Sequence, residues 1–274
     1  MRAALYNGQK SIEMTELPTP EAGENDIVVK NIYASICGTD VAVYEHGPGT
    51  GHRITVGSEF GHEMVSEVVQ VGKNVKDIKL GDRVYPYPRL AKGDPKRAGT
   101  TGIAAAIALK YFGCHKGMIC DHSDFRLNKA KELGFEICNN GKEELKAKSK
   151  QVFGCAMSAL GETCDVDIYI DAAGADGIIE NYQSMGKINS RMVVVAVKAG
   201  LRPIDVLAMT YGQHAIIGSG GYFPEDVWDV MAIMKSRKWD IESIITDVYP
   251  WEQLPQAIEK ASRVDEALNV VIQY

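Results

Sequence analysis

The sequence lacks several features that would place it in a special class of protein. It contains only 10 prolines, and its six cysteines form no CxxC pair, so it is neither a proline-rich disordered chain nor a typical disulfide scaffold. No apolar run reaches the roughly 18 residues of a membrane span, and the opening MRAALYNGQK contains no hydrophobic signal segment. These absences predict a cytoplasmic protein without a membrane partner.

An excess of basic residues is also missing. Lys and Arg total 30 against 36 Asp and Glu, which gives a formal net charge of −6. Nucleic acids and anionic membranes favour basic surfaces, so we expect neither as a partner. What is present is ordinary for a globular protein: 274 residues, 45% hydrophobic and 24% charged, which is enough chain for two domains.

The pattern of predicted secondary structure changes at about residue 100. Before it, segments 26–36 and 64–71 are rich in β-branched residues and are bounded by glycine and proline, which predicts a β domain. After it, helical and strand patterns alternate, which predicts a parallel sheet with right-handed crossovers. The predicted helices are 103–112, 124–133 and 178–185, and the predicted strands are 117–121, 167–173, 192–197 and 214–218. The tail reads as a strand from about 244, a helix at 251–261 and a strand at 268–272.

Two short motifs in the β region carry potential metal ligands. CGTD begins at Cys37, and GHE ends with His62 and Glu63. A thiolate, an imidazole and a carboxylate are all good zinc ligands, and three protein ligands that leave one coordination position open are typical of a catalytic zinc site. Asp40 is placed to orient a ligand histidine from behind. The alternative, two ordinary core side chains, remains open because single cysteines and histidines are common in protein cores.

A glycine-containing segment opens the first predicted helix of the α/β region. Gly99 and Gly102 would let backbone N–H groups approach a pyrophosphate, whose charge the helix dipole favours. Asp121 ends the next strand, at the offset where an acidic residue binds ribose hydroxyls and selects NAD over NADP. The GxGxxG fingerprint is incomplete, since Arg97 occupies the position of its first glycine. A simple helix cap in a loop is therefore the alternative.

Together these segments resemble the zinc-dependent medium-chain dehydrogenases, the group of alcohol, sorbitol and butanediol dehydrogenases. The segments of the N-terminal part occur in the same order as the motifs of that family: CGTD, GSEFGHE, EVVQVG and GDRV. The later segments also match the order of the family: MICDHSDFRLNKAKELG, DAAG, VVVAV and ITDVYPWEQLPQAIEKA. The resemblance implies an α/β protein with a GroES-like β domain and a Rossmann doubly wound parallel sheet. It places the GroES-like catalytic domain at 1–98, completed by 244–274, and the dinucleotide-binding domain at 99–243.

The resemblance also implies site residues and a reaction. Zinc, one ion per chain, would bind Cys37, His62 and Glu63, with Thr39 contacting the substrate hydroxyl and Asp40 completing the catalytic set. The implied contacts to NAD are Gly99, Gly102, Asp121, Arg126, Ala173, Gly174, Val195 and Val197. The expected activity is hydride transfer between NAD and a small secondary alcohol or polyol, in a homodimer or homotetramer.

Two alternatives compete with this function. One is a zinc-free reductase of the same superfamily. The CGTD and GHE motifs argue against it, because that branch usually lacks these ligands. The other is a catalytically inactive or truncated remnant that retains nucleotide or partner binding. It is favoured by Ala42, which stands where family members often carry a proton-relay histidine. Residues 85–98 contain no cysteine, so we also expect no structural zinc site.

The largest departure from the family is a missing internal segment. Val84 and Gly99 are only 15 residues apart, and no apolar strand precedes Gly99. By comparison with the family, roughly seventy residues are absent, including the first strand of the Rossmann domain. That strand is central in the 3-2-1-4-5-6 order, so its loss leaves strands two and four without a shared neighbour. We therefore predict that the sequence is incomplete, with a break close to residues 99–101, and that the Rossmann sheet is not intact.

Overall fold

The computed structural model describes residues 1–48, 54–86, 98–196 and 200–274. The chain divides into two compact units. The terminal unit contains Met1–Gly93, Ile245–Arg263 and Asn269–Tyr274, and the central unit contains Asp94–Ile244 and Val264–Leu268. No described helix is long and apolar enough to cross a membrane.

The terminal unit is built mainly from β-strands. Its elements are β1 (Arg2–Tyr6), β2 (Ile12–Glu16), β3 (Ile27–Ser35), α1 (Gly38–His46), β4 (Glu63–Val71), β5 (Arg83–Val84), β13 (Ile245–Pro250), α8 (Leu254–Ser262) and β14 (Asn269–Gln273). β1 and β2 form an antiparallel hairpin, and the other five strands form one sheet in the order β13-β14-β3-β4-β5. The sequence predicted both long strands of this sheet and the strand–helix–strand tail.

The core of the terminal unit lies between this sheet and α8. Helix α8 packs on β14 and β13, and its apolar residues recur with helical spacing, so that Leu254, Ala257 and Ile258 are buried. Val68 of β4 and Ile272 of β14 are each 1% exposed. The tail of the chain is therefore an integral part of this core.

The central unit alternates helices with short strands. Its elements are α2 (Ala98–Tyr111), β6 (Met118–Asp121), α3 (Asp124–Glu132), β7 (Glu136–Asn139), α4 (Leu145–Phe153), β8 (Cys155–Ser158), β9 (Gly161–Cys164), β10 (Ile168–Asp171), α5 (Ile178–Met185), β11 (Arg191–Val194), α6 (Val206–Gly212), β12 (Ala215–Gly218) and α7 (Pro224–Ser236). β8 and β9 form an antiparallel hairpin. The predicted helices and strands are present, with ends shifted by a few residues.

The parallel strands of the central unit form two separate sheets in the described part of the chain. β6 pairs with β7, and β10, β11 and β12 pair in that order. Helix α2 packs against both β6 and β10. In the doubly wound order the first strand would lie between these two strands. The sheet is thus divided where the sequence predicted the loss of a strand.

An apolar cluster of the central unit forms around α2. Its buried members are Ile103, Ile107, Ala130, Leu133, Phe135, Ile233 and Leu268. They come from α2, from the end of α3, from α7 and from the short return of the chain at Val264–Leu268. Ile119 of β6 and Ile137 of β7 also pack against this cluster, so it joins the helices to the β6–β7 sheet.

Candidate functional site

The potential metal ligands lie together at one end of β3 and β4. The two strands pair antiparallel, with Ser35, the last residue of β3, opposite Glu63, the first residue of β4. Cys37 follows β3 and is the N-cap of α1. Ligand atoms of Cys37, His62 and Glu63 lie within 4.8 Å of one another. Strand pairing therefore brings together two motifs that are 25 residues apart in sequence.

This group fits a zinc ion by its donor chemistry. Sulfur, nitrogen and oxygen ligands all bind zinc at about 2.0–2.3 Å, so a cluster of this size closes on one ion with small side-chain movements. Three protein ligands leave a coordination position for substrate, as in catalytic zinc sites. The three side chains are partly buried.

Asp40 fixes the position of both Cys37 and His62. Its Oδ2 accepts a hydrogen bond of 2.9 Å from the backbone N–H of Cys37, and its Oδ1 lies 3.3 Å from Nδ1 of His62. Asp40 itself is only 5% exposed. Hydrogen bonds to Asp40, and next to Cys37, raise the pKa of His62 to about 11. With Nδ1 directed to Asp40, Nε2 of His62 is the atom that faces a metal.

The carboxyl group of Glu63 is held in a desolvated position. Burial is the main cause of its raised pKa, and the charge of Asp40 adds to it. The charge of His62 and hydrogen bonds from Cys37 and Ser35 act in the opposite direction. A bound cation would offset the burial, which is a further sign that the group suits a metal ligand.

Thr39 and Ala42 lie on α1, directly beyond Cys37. The hydroxyl of Thr39 is 3.5 Å from Sγ of Cys37 and accepts from the thiol, so it lies beside the potential metal ligands; its contact with a substrate hydroxyl stays a prediction. Ala42 is buried in the same helix. No titratable side chain is therefore available at the position where the family often carries a relay histidine.

On the central unit, the predicted pyrophosphate segment forms the first turn of α2. Gly99 and Gly102 both lie within this helix, which begins at Ala98. The hydroxyl of Thr100 donates to the backbone carbonyl of Leu268 at 3.0 Å. A Cβ at Gly102 would lie 3.9 Å from Cβ of Ala172, so the start of α2 approaches the carboxyl end of β10.

Asp121 occupies the carboxyl end of β6, where ligands bind in open α/β sheets. Its Oδ1 accepts from the backbone N–H of Ser123 at 2.9 Å, and its Oδ2 lies 3.9 Å from Nη1 of Arg126. Arg126 is 7% exposed, and its Nε has no hydrogen-bond partner among the described residues. Burial lowers the pKa of Arg126, against the opposing charges of Asp121 and Asp265.

Asp171 is a residue that the sequence reasoning missed. Its Oδ1 accepts from the backbone N–H groups of Ala173 at 3.0 Å and Gly174 at 2.7 Å. Its backbone carbonyl accepts from the N–H groups of Val195 and Ala196, both at 2.9 Å. The signal was an aspartate at a strand end followed by small residues, a pattern typical of an Asx turn.

The predicted nucleotide contacts thus fall into two groups. Asp171 brings Ala173, Gly174 and Val195 together at the carboxyl ends of β10 and β11. Gly99, Gly102, Asp121 and Arg126 belong to α2, β6 and α3. Val197 lies outside the described residues.

Comparison with known protein families gives two overlapping matches. The alcohol dehydrogenase GroES-like domain matches residues 23–129, and the zinc-binding dehydrogenase model matches residues 100–236. The second match covers half of the chain. The chain belongs to the zinc-binding dehydrogenases, a family within the medium-chain dehydrogenases.

One curated relative of this zinc-binding dehydrogenase is the L-threonine 3-dehydrogenase of Yersinia pestis (strain Pestoides F). It is 24% identical, and the match covers 97% of each chain. The alignment runs over 339 residues, whereas 97% of this chain is about 266 residues, so about seventy aligned positions have no residue here. That number agrees with the length of the internal segment that is predicted from the sequence to be missing.

Solved structures show the same fold. The 2R,3R-butanediol dehydrogenase of Bacillus subtilis superimposes with a TM-score of 0.82 at 18% identity, covering 100% of this chain and 99% of the other. A short-chain alcohol dehydrogenase of Escherichia coli CFT073, complexed with NADH, gives a TM-score of 0.80 at 18% identity, with coverage of 100% and 99%.

Proposed function

We propose that the protein is a zinc-dependent dehydrogenase that transfers a hydride between a small secondary alcohol or polyol and NAD. The observation that carries this proposal is the convergence of Cys37, His62 and Glu63 on one potential metal position. Family membership supports the dehydrogenase chemistry. The GroES-like catalytic domain would comprise residues 1–98 and 244–274, and the dinucleotide-binding domain residues 99–243.

In this mechanism Cys37, His62 and Glu63 would hold the zinc ion. A bound zinc ion acts as a Lewis acid that lowers the pKa of the substrate hydroxyl. Asp40 keeps His62 in the orientation that directs Nε2 to the ligand position. The hydroxyl of Thr39, beside Cys37, would accept a hydrogen bond from the substrate hydroxyl and so orient it.

The cofactor would bind at the carboxyl ends of the parallel strands. Asp121 would accept hydrogen bonds from the ribose hydroxyls and repel the 2′-phosphate of NADP, which favours NAD. The first turn of α2 would direct backbone N–H groups to the pyrophosphate. The NADH complex of the Escherichia coli alcohol dehydrogenase supports this choice of cofactor.

A second function has one specific observation in its favour. The divided parallel sheet supports a catalytically inactive remnant that retains nucleotide or partner binding, because hydride transfer needs the cofactor to be aligned and the phosphate-binding turn normally follows the missing strand. In that case zinc or turnover would be lost while NADH binding remains.

We also propose that the protein is cytoplasmic and forms a homodimer or homotetramer. All six cysteines are free thiols, which supports a reducing compartment. In its sheet β12 is an edge strand and carries the exposed side chain of Ile217, so it could pair with the same strand of a second copy.

The deciding experiment measures zinc content, NADH binding and NAD-dependent oxidation of 2,3-butanediol, sorbitol and L-threonine. We expect one zinc ion per chain and turnover of at least one alcohol. Cys37→Ser should lose the zinc and lower kcat/KM on the order of 1000-fold or more. Cys155→Ser, at an exposed cysteine of the central unit, is the matched control and should change neither. NADH binding without zinc or turnover would establish the remnant instead.

A further inference from the structure

Ser35 is placed to act on the metal ligand Glu63. The two residues are directly opposite in the antiparallel pair of β3 and β4, and opposite side chains of such a pair lie on one face with Cβ atoms roughly 4.5–5.5 Å apart. A hydrogen bond from Ser35 also opposes the rise in the pKa of Glu63. The serine hydroxyl therefore has the carboxylate of Glu63 within its reach.

Asn269 contacts the same hydroxyl of Ser35 from the neighbouring strand. It is the first residue of β14, the strand that pairs with β3 on the side away from β4. Its Nδ2 lies 3.3 Å from Oγ of Ser35, and its Oδ1 lies 3.5 Å from the same atom. With Nδ2 as donor, Ser35 accepts from Asn269 and is free to donate its proton to Glu63.

We propose that Ser35, held by Asn269, is a positioning residue that orients the carboxylate of Glu63 toward the metal. One oxygen of Glu63 accepts from the serine hydroxyl, so the other oxygen is directed to the metal position. The role parallels that of Asp40 toward His62: a residue behind the ligand fixes its orientation. The inference rests on the proposed zinc site.

The same sheet contains a matched control. Ser66 of β4 donates from Oγ to Oδ1 of Asn31 at 2.9 Å, and these two residues are opposite in the same strand pair. This is a second serine–asparagine pair, and neither member is a neighbour of a metal ligand in the ladder. Removing its hydroxyl therefore reports the structural effect of the same substitution away from the metal position.

The test compares the zinc dissociation constants of Ser35→Ala, Ser35→Thr and Ser66→Ala with that of the unaltered protein, by competition with a chromogenic chelator. Loss of a residue that positions a ligand weakens metal binding about 10- to 100-fold, and we expect this for Ser35→Ala. Ser35→Thr keeps the hydroxyl and should recover most of the affinity, and Ser66→Ala should stay within about twofold. With Co²⁺ in place of zinc, Ser35→Ala should shift the visible absorption bands, because a displaced carboxylate changes the coordination geometry.

Asn269→Ala tests the second half of the inference. It should weaken zinc binding less than Ser35→Ala, because its effect passes through the serine. In the double variant the two losses should not add, since Asn269 has no hydroxyl left to hold. Fully additive losses would remove Asn269 from the proposal.

The controls separate failure of this inference from failure of the proposed function. If Cys37→Ser does not weaken metal binding, the zinc site itself is wrong. If Cys37→Ser does weaken it but Ser35→Ala behaves like Ser66→Ala, with an unchanged cobalt spectrum, the zinc site stands and the positioning role of Ser35 is overturned.

Discussion

The terminal and central units differ in how completely their sheets are joined. In the terminal unit five strands form one sheet, and Val68, Val270 and Ile272 are almost fully buried. In the central unit five parallel strands are divided between two sheets, and every residue of β6 is only partly buried. Central strands of parallel sheets are normally covered on both faces. Without a described strand between them, β6 and β10 contain fewer buried residues than β14, in which Val270, Val271 and Ile272 are all buried.

This difference separates the two halves of the proposed chemistry. The metal ligands are fixed by the pairing of β3 with β4 and by the first turn of α1, all within the terminal unit. The groups proposed to bind NAD lie at the ends of β6 and β10, on either side of the position of the missing strand. The shortened chain therefore retains the group formed by Cys37, His62 and Glu63, whereas the proposed cofactor groups lie next to the position of the missing strand.

The largest effect we expect concerns thiol reactivity at β6. Burial, and next the neighbouring Cys138, raise the pKa of Cys120 to about 12, whereas Cys114 and Cys155 are exposed. At pH 8 the thiolate fraction of Cys120 is then on the order of 1000-fold below that of an ordinary thiol. Iodoacetamide should modify Cys114 and Cys155 first, as measured by peptide mass spectrometry.

The pH dependence sharpens this prediction. Between pH 8 and 10 the rate of alkylation at Cys120 should rise about tenfold per pH unit, since its pKa lies above this range. Rapid alkylation of Cys120 at pH 8 would contradict the prediction and would mean that the open edge of β6 admits solvent to the whole strand.

Hydrogen exchange should show the next largest difference. Burying four or five strand side chains contributes roughly 1.5–3 kcal/mol each, and no described strand supplies this contribution between β6 and β10. We expect backbone amides of β6 and β10 to exchange on the order of 100-fold faster than those of β3 and β4, a difference of about 2.7 kcal/mol. Equal protection of both sets of strands would show that the division of the sheet has no energetic consequence.

A matched pair of substitutions compares the packing of one side chain in the terminal unit with that of one side chain in the central unit. Ile272 of β14 is 1% exposed, and Ile170 of β10 is half-buried. Ile272→Ala should lower the free energy of unfolding of the terminal unit by about 2–5 kcal/mol, whereas Ile170→Ala should lower that of the central unit by only about 1 kcal/mol. Pulsed hydrogen exchange along a urea titration reports each unit separately. If Ile170→Ala lowers the free energy of unfolding by clearly more than about 1 kcal/mol, β10 is well packed despite its open edge.

The sequence predicted those parts of the molecule that local patterns determine. β-Branched runs located β3 and β4, and the spacing of Leu127, Ala130 and Leu133 located α3. The proposed metal ligands were singled out because zinc requires particular residue types. Ser35 and Asn269 were not found, because the pairing of Ser35 with Glu63 and the contact between Asn269 and Ser35 join residues distant in sequence. Asp171 was missed although its Asx turn is a local pattern.

The smallest effect we predict distinguishes two roles for Thr100, whose hydroxyl donates to the carbonyl of Leu268. Thr100→Val keeps the shape of the side chain and removes one hydrogen bond, so it should lower the free energy of unfolding of the central unit by about 0.5–1.5 kcal/mol. NADH affinity, measured by fluorescence titration, should change by less than about twofold, because backbone N–H groups of α2 and not this hydroxyl are proposed to meet the pyrophosphate. If stability is unchanged and NADH affinity falls tenfold, the hydroxyl binds the cofactor, and the start of α2 is a phosphate site even without its preceding strand.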